Sequence, residues 1–594
     1  MTDPAGGARR SRLRAALPAG HWLATYGRGD LGADVLASLI VTIMLIPQSL
    51  AYALLAGMPP EAGLYASILP AVFYAFFASS RVLAVGPVAV ISLMTASALG
   101  DVHGRLGVDY AQAAALLALM SGAFLALLGV LRMGWLANFL SHAVISGFVS
   151  GSAVLIAVGQ LRPLLGVDAG GDTLVTLVPA LVGVIDTVNP VTLTLGAGTV
   201  VFLAFARSRL APLLRRLGFT ATLAAFVVRA GPVLAVVISI LLVAAFALDA
   251  RGVAVVGTVP DGLPPIRVPA LDPAVLLALL PSAVLLSLVG FVESISVGQS
   301  LAMRRRQRLV PDQELLGLGA ANIAAGLSGG FPVSGGFSRS VVNYDAGAVS
   351  PVAGLLTGLL MALVALVLTP AFHDLPRTVL AAVIIVAVLP LVDARMFLRS
   401  WRTARMDAVA LAATALGVLV IGVEAGIAVG VGIAVGAHLW RSSRPHMAVV
   451  GRVPGTEHFR NVDRHAVQTS DGVLALRVDE SLYFANARWL EDHLLALVTE
   501  RPAITDVVLV CSAVNGIDGS AIETLTSINE RLEVAGVRFH LSEVKGPVMD
   551  VLRATELPER LSGRIFFTQH EAMRALAPEA LPGLAPVQGS GDGI

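Results

Sequence analysis

The sequence predicts a polytopic α-helical membrane protein of fourteen spans, arranged as a 7+7 inverted repeat with two half-helices and followed by a small cytoplasmic α/β domain. Three observations predict it. Apolar residues make up 56% of the 594 and charged residues 14%, with a mean hydropathy of +0.81, which is more apolar surface than a soluble globule can hide. Apolar runs of about twenty residues alternate with short polar breaks as far as Trp440. Two of these runs are broken by proline and glycine and are too short to cross as regular helices. The net charge of +1 singles out no partner class, and nucleic acid is not expected as one. The single Cys511 excludes a disulfide framework and a cysteine-based metal site.

Residues 1–29 carry arginines but lack a long apolar core with a cleavage site after it, and read as a cytoplasmic tail. A membrane region follows over 30–440. Its spans are predicted near 33–53, 61–78, 87–99, 110–130, 136–158, 190–206, 232–248, 277–297, 313–328, 335–346, 351–369, 376–391, 406–422 and 424–440. Arginine placement gives the orientation, since cytoplasmic loops are enriched in it. Alternate breaks hold Arg207, Arg209, Arg215 and Arg216, then Arg304, Arg305, Arg306 and Arg308, then Arg395, Arg399, Arg402 and Arg405. Intervening breaks such as 57–63 and 422–426 are poor in arginine. Both termini are therefore expected in the cytoplasm, with the chain in the cell (inner) membrane.

The short spans are the third of the first seven and the third of the second seven. An odd number of spans per half makes the halves run in opposite directions, which is an inverted repeat. In the second half, GGFPVSGGFSRSVVNYD (329–345) sets Pro332, Gly335, Gly336 and Arg339 deep in the apolar region. An irregular path to Ser334–Gly335 and a short helix starting there are expected, with Ser338 and Arg339 at its beginning. In the first half, RVLAVGPVAVISLM (81–94) is the counterpart, with Gly86–Pro87 opening a half-helix. Two helix N-termini then face each other near the midplane, and Arg339 adds a full positive charge, which describes an anion site.

Several other polar residues lie in apolar spans. Glu293 reads either as a functional carboxyl or as a cytoplasm-facing one paired with nearby arginines. Gln48 and Tyr52, one turn apart, either line the same cavity or tie the carbonyl freed by Pro47 to a neighbouring helix. Ser338 alone is weak, because membrane serines often only bond their own or adjacent helices, and Arg339 has snorkelling as its alternative. The small-residue run GIAVGVGIAVG (426–436) suits close helix packing.

After Trp440 the composition turns polar. Residues 441–465 read as a linker, 466–580 as an α/β domain, and 581–594 as a disordered tail. Within the domain, 473–486, 506–514 and 537–544 read as strands and 521–536 as an amphipathic helix. Asp518 and Ser520, in NGIDGSAIETL, sit at a helix start, where they cap it or form a phosphorylated or ligand-binding loop.

The ordered occurrence of LIPQSLAYALLAGMPPEAGLYASILP, SSRVLAVGPVAVISLM, GGFPVSGGFSRS and a tail with IDGSA resembles the sulfate permease (SulP) family of anion transporters with a carboxy-terminal STAS domain. The resemblance covers nearly the whole chain. It implies the nucleobase-transporter-like fold, an elevator-like movement and a homodimer. It also implies a core of spans 1–4 and 8–11 against a gate of spans 5–7 and 12–14. Carried over by position, its anion pocket falls on Gln48, Tyr52, Val88, Ala89, Ser338 and Arg339. Glu293 takes the place of an aspartate found in sodium-coupled members, and Val297 that of their threonine, so a sodium site is not expected. The serine matching Ser520 is phosphorylated in soluble relatives of the tail.

The expected function is secondary active transport of a small anion, sulfate, bicarbonate or a dicarboxylate, coupled to protons through Glu293. Expected partners are the anion, protons, membrane lipid, a second copy of the chain and a cytoplasmic protein bound by the tail. Neither a cofactor nor a metal is expected, because the sequence shows no metal-ligand cluster, phosphate loop or nucleophile–base pair, and for the same reason the chain is not read as an enzyme. Two alternatives stay open: a nucleobase-type proton symporter, and a membrane-anchored signalling protein acting through its tail.

Overall fold

The computed structural model describes residues 26–138, 141–220, 224 and 227–580. Residues 1–25 of the expected N-terminal tail and the expected tail 581–594 lie outside the described residues. The chain divides into two compact units, Met1–Ala434 and Val435–Ile594.

The first unit is helical. In chain order it holds α1 (Arg28–Leu55), α2 (Pro60–Phe77), α3 (Ala89–Leu106), α4 (Tyr110–Val130), α5 (His142–Gly159), α6 (Leu174–Gly183), α7 (Pro190–Phe205) and α8 (Gly231–Phe246). Then come α9 (Pro273–Arg304), α10 (Pro311–Leu327), α11 (Phe337–Asp345), α12 (Val352–Val367), α13 (Arg377–Val388), α14 (Ala394–Thr403), α15 (Arg405–Val420) and α16 (Val423–Ser443), whose residues from Val435 on belong to the second unit. Among the described residues, seven helical stretches are long and apolar enough to cross a membrane.

The two broken runs meet. Val85–Gly86 (β1) pairs antiparallel with Ser334–Gly335 (β2), in the register Val85 with Gly335 and Gly86 with Ser334. This pairing corrects two predicted helix starts. Pro87 and Val88 stay extended beyond β1, so α3 begins at Ala89 and runs on to Leu106, well past the predicted end at 99. Gly335 is held in β2, so α11 begins at Phe337.

Away from water every backbone group on such an irregular path needs a partner. Side chains supply several. Asn322 of α10 accepts from Val333 N–H at 2.9 Å and donates to the Val333 carbonyl at 3.0 Å. Ser294 of α9 accepts from Gly335 N–H at 2.9 Å. From α11, Ser340 accepts from Ala84 N–H at 3.0 Å and Asn343 donates to the Val82 carbonyl at 2.9 Å.

The helices approach closely where side chains are small. A Cβ on Gly122 of α4 would come within 2.5 Å of Ile323 N, and one on Gly319 of α10 within 2.8 Å of Ala126 N, so α4 and α10 pack backbone to backbone. In the 426–436 run, Gly426 and Gly430 press on Val418 and Thr414 of α15, whereas Gly432 and Gly436 meet nothing. Helices α6 and α14 were not anticipated. In α14 the arginines read as a loop break, yet its exposed Leu398 and Trp401 and its buried Ser400 give it distinct faces. The predicted span from 136 starts as α5 only at His142, where Ser141 caps it.

The second unit contains a six-stranded sheet in the order β4-β3-β5-β6-β7-β8. Its strands are β3 (Met447–Arg452), β4 (Phe459–Asn461), β5 (Val473–Val478), β6 (Asp506–Val510), β7 (Arg538–Ser542) and β8 (Ile565–Phe566). Strands β5 to β8 are parallel and β3 is antiparallel to β5. The connecting helices are α17 (Ala487–Glu500), α18 (Gly519–Val534) and α19 (Gly546–Arg553), and α20 (Gln569–Leu576) follows β8. Strand–helix–strand crossovers force this parallel arrangement, and the fully buried DVVLV of β6 is the continuous apolar run of a strand covered on both faces. The residues read as a linker, 441–465, contain β3 and β4, whose shortness and polar flanks hid them. The predicted strand 473–486 ends at Val478, and Leu482 then bridges to Ile517. Cys511 is buried, and burial pushes its thiol up to about 12.

Inside this unit His540 Nε2 lies 2.9 Å from Asp506 Oδ1, and His540 Nδ1 accepts from Arg564 N–H at 2.9 Å. Nδ1 therefore carries no proton. Burial holds the imidazole below its ordinary range despite the carboxylate. Burial alone would raise Asp506, but hydrogen bonds from Arg538, His540 and Thr505 outweigh it and keep the carboxyl low. Both shifts work in one direction. As pH falls past the ordinary histidine value of about 6.5, the unfolded chain takes up a proton that the folded one resists, so stability drops. Acidification from pH 7 to 5 is expected to lower the thermal midpoint of this unit in the full chain by a few degrees, with His540→Gln flattening the dependence. A wild-type midpoint independent of pH over that range would contradict this.

Candidate functional site

At the β1–β2 crossing, α3 and α11 begin side by side. Neither N-cap residue, Val88 or Gly336, supplies a side-chain cap. The first intrahelical bonds are made by Ser92 N–H to Val88 and Ser340 N–H to Gly336. The N–H groups of residues 89–91 and 337–339 are thus left without helix partners, and the positive ends of two helix dipoles share one place.

Arg339 lies there with 3% of its surface exposed, and both Nη1 and Nη2 lack hydrogen-bond partners. Two glycines make room for it. A Cβ on Gly86 would stand 2.8 Å from Nη1, and one on Gly336 would stand 3.0 Å from Nη2 and from Val88 Cγ1. The side chain borders a small cavity shared with Leu45 of α1, Tyr74 of α2, Arg81, Asn343 and Thr357 of α12. Arg339, Tyr52 and Glu293 are within electrostatic reach of one another, but Arg339 and Glu293 do not form an ion pair.

Each residue named from the sequence has a definite place. Val88 and Ala89 are the cap and first residue of α3, both buried. Tyr52 packs in the same buried cluster as Ala89. Gln48, one turn earlier on α1, is 6% exposed, and no hydrogen bond holds its side chain among the described residues. Ser338 is exposed, next to the 52% exposed Phe337, whereas its neighbour Arg339 turns inward. The two neighbours thus differ in burial, and it is Arg339 that adjoins the crossing. Glu293 borders a separate small cavity with Val144 and Phe148 of α5, Val292, and Ile427 of α16, and its Oε2 has no partner. Ser92, buried with an unpartnered hydroxyl three residues into α3, was passed over, because a serine in an apolar run gives no signal of its own.

In the second unit Asp518 caps α18. Its Oδ1 accepts from Ala521 N–H and its Oδ2 from Phe484 N–H, each at 2.9 Å. Ser520 is exposed in the first turn.

Buried, unpaired positive charge beside uncapped helix starts can hold an anion, and it gives a neutral ligand no advantage. Comparison with known proteins agrees with this chemistry. A model of the sulfate permease family matches residues 31–414, and a STAS domain model matches 464–572. "Sulfate transporter 4.1, chloroplastic" from Arabidopsis thaliana is 34% identical over 94% of this chain and 82% of its own length. The solved structure of SLC26A9 superposes with a TM-score of 0.87 at 21% identity, covering 97% of this chain and 95% of that one. The transmembrane domain of a cyanobacterium bicarbonate transporter, BicA, superposes with a TM-score of 0.59 at 22% identity, over 68% of this chain and 98% of that one.

Proposed function

The chain belongs to the sulfate permease family of anion transporters and carries a STAS domain, and from that premise we propose secondary active transport of a small anion, sulfate, bicarbonate or a dicarboxylate, coupled to protons. It is a multi-pass membrane transporter and not an enzyme. The observation that carries the proposal is Arg339, buried and unpaired where two uncapped half-helices begin. The anion sits at the N–H groups of 89–91 and 337–339, with Gln48 and Tyr52 as a polar wall and Ser338 on the open side.

Glu293 is the proposed proton carrier. A carboxyl without a partner among apolar side chains of α5 and α16 suits reversible protonation better than sodium coordination, which prefers several oxygens. It also lies on α9, facing α5 and α16, which belong to the proposed gate. In the proposed elevator, spans 1–4 and 8–11 of a fourteen-span, 7+7 membrane region carry the anion past spans 5–7 and 12–14. The arginine-rich breaks support cytoplasmic termini in a cell (inner) membrane, and the proposed working unit is a homodimer. The exposed Ser520, beside the cap Asp518, is the proposed regulatory position, open to phosphorylation or a protein partner.

Arg339→Ala is expected to abolish saturable anion uptake into proteoliposomes while the protein remains folded. Undiminished uptake removes Arg339 from the site. Glu293→Gln is expected to keep anion binding but lose the acceleration of uptake by an inward proton gradient. A wild type that responds to sodium and not to pH contradicts the proton assignment.

A further inference from the structure

A second cavity, of about 290 Å³, opens where the segment between α2 and β1 meets the turn between α9 and α10. Ser79, Ser80 and Arg81 line it from one side, Gln307 and Arg308 from the other. Arg81 and Arg308 are both exposed, and among the described residues neither meets a carboxylate at ion-pair distance. The nearby carboxylate is already committed. Glu314, fully buried, accepts from Ser79 N–H and Oγ–H, from Ser80 N–H and from the Tyr74 hydroxyl. Arg305 is likewise engaged, by the carbonyls of Ala348 and Tyr344, whereas Arg304 and Arg306, in the same turn, are exposed. Positive charge therefore exceeds negative around a polar hollow.

Two guanidinium forks facing one hollow, with an amide alongside, match the several acceptor oxygens of a doubly charged tetrahedral anion better than a monatomic ion. The volume lies at the lower edge of the range for small-molecule sites, about 300–1,000 Å³. Position links the cavity to the crossing. Ser80 and Arg81 also border the small cavity of Arg339, so one stretch of chain separates the two. That stretch leads into β1 four residues later, and it is tied to α11 through Val82 and Ala84.

We propose that the Arg81–Arg308 cavity is a second anion site, separate from the transport site, which takes a divalent tetrahedral oxyanion such as sulfate, phosphate or the phosphate of a small metabolite and through residues 81–84 adjusts the start of α3. Occupancy draws Arg81 towards Arg308; the hydrogen bonds of Val82 and Ala84 pass that shift to α11, and the chain itself carries it through β1 to the start of α3.

The test is binding of radiolabelled sulfate to the purified full chain. Arg339→Ala protein, whose transport site is disabled, is expected to retain one saturable class of sites. Adding Arg81→Gln and Arg308→Gln is expected to weaken that class by about tenfold or more, and inorganic phosphate is expected to displace the label where equal chloride does not. Should Arg339→Ala fail to fold, the same class is read as the one lost from otherwise native protein on Arg308→Gln, an exposed turn position. The proposal is overturned if folded Arg339→Ala protein binds no sulfate, if the arginine substitutions leave its binding unchanged, or if chloride displaces sulfate equally well. The effect of the Arg81 and Arg308 substitutions on binding is read apart from the transport site, which the uptake assay of Arg339→Ala tests.

Discussion

The transport unit depends on one costly group, the guanidinium of Arg339, held away from water with two unpaired nitrogens. A buried cation without a partner is destabilising by several kcal/mol. It persists only because its surroundings are over-determined. Gly86 and Gly336 leave the space it fills, the β1–β2 pairing fixes those glycines, and Asn322, Ser294, Ser340 and Asn343 satisfy the backbone around the pairing. An anion at the adjoining helix starts would offset the charge, so the crossing favours a negative ligand over a neutral one.

The same logic reaches the chain on either side of the crossing. Glu314 of α10 collects the donors of Ser79 and Ser80, just ahead of β1. Asp34 of α1 accepts from Val349 N–H, Ser350 N–H and the Ser350 hydroxyl, just beyond α11. One buried carboxylate thus anchors the approach to the first half-helix, and another anchors the exit from the second. Because both anchors sit on long helices, the half-helices are positioned by rigid elements, as a binding site requires. Glu293 is different, with an oxygen left unpaired against apolar neighbours, and that contrast supports a role in chemistry over one in scaffolding.

Much of this was legible in the sequence because hydropathy and backbone chemistry are local. Pro332 and the glycines around it announce a broken helix, and Arg339 announces a positive charge beside it, without knowledge of any neighbour. What was not legible is long-range. Nothing near Asn322 says that its amide clamps Val333, and nothing in Gly86 says that it makes room for a side chain 253 residues away. Ser338 and Arg339 are adjacent in sequence, yet one is exposed and the other buried, because a helix turns successive side chains by about 100°. Helix α14 was hidden by its arginines, which suggested a loop, although they lie on an exposed face of an amphipathic helix. Strands β3 and β4 were missed because they are short and lie in a polar stretch that also reads as a linker.

The central claim is that an anion binds at the paired half-helix starts because Arg339 is there. Anomalous diffraction from crystals of the full chain soaked in bromide, whose single negative charge needs only the cation and the open N–H groups, addresses it directly. The account predicts a peak within hydrogen-bonding reach of the N–H groups at 89–91 and 337–339 in the native protein, and its loss in Arg339→Ala. No peak at the crossing, or a peak unchanged by that substitution, would contradict it.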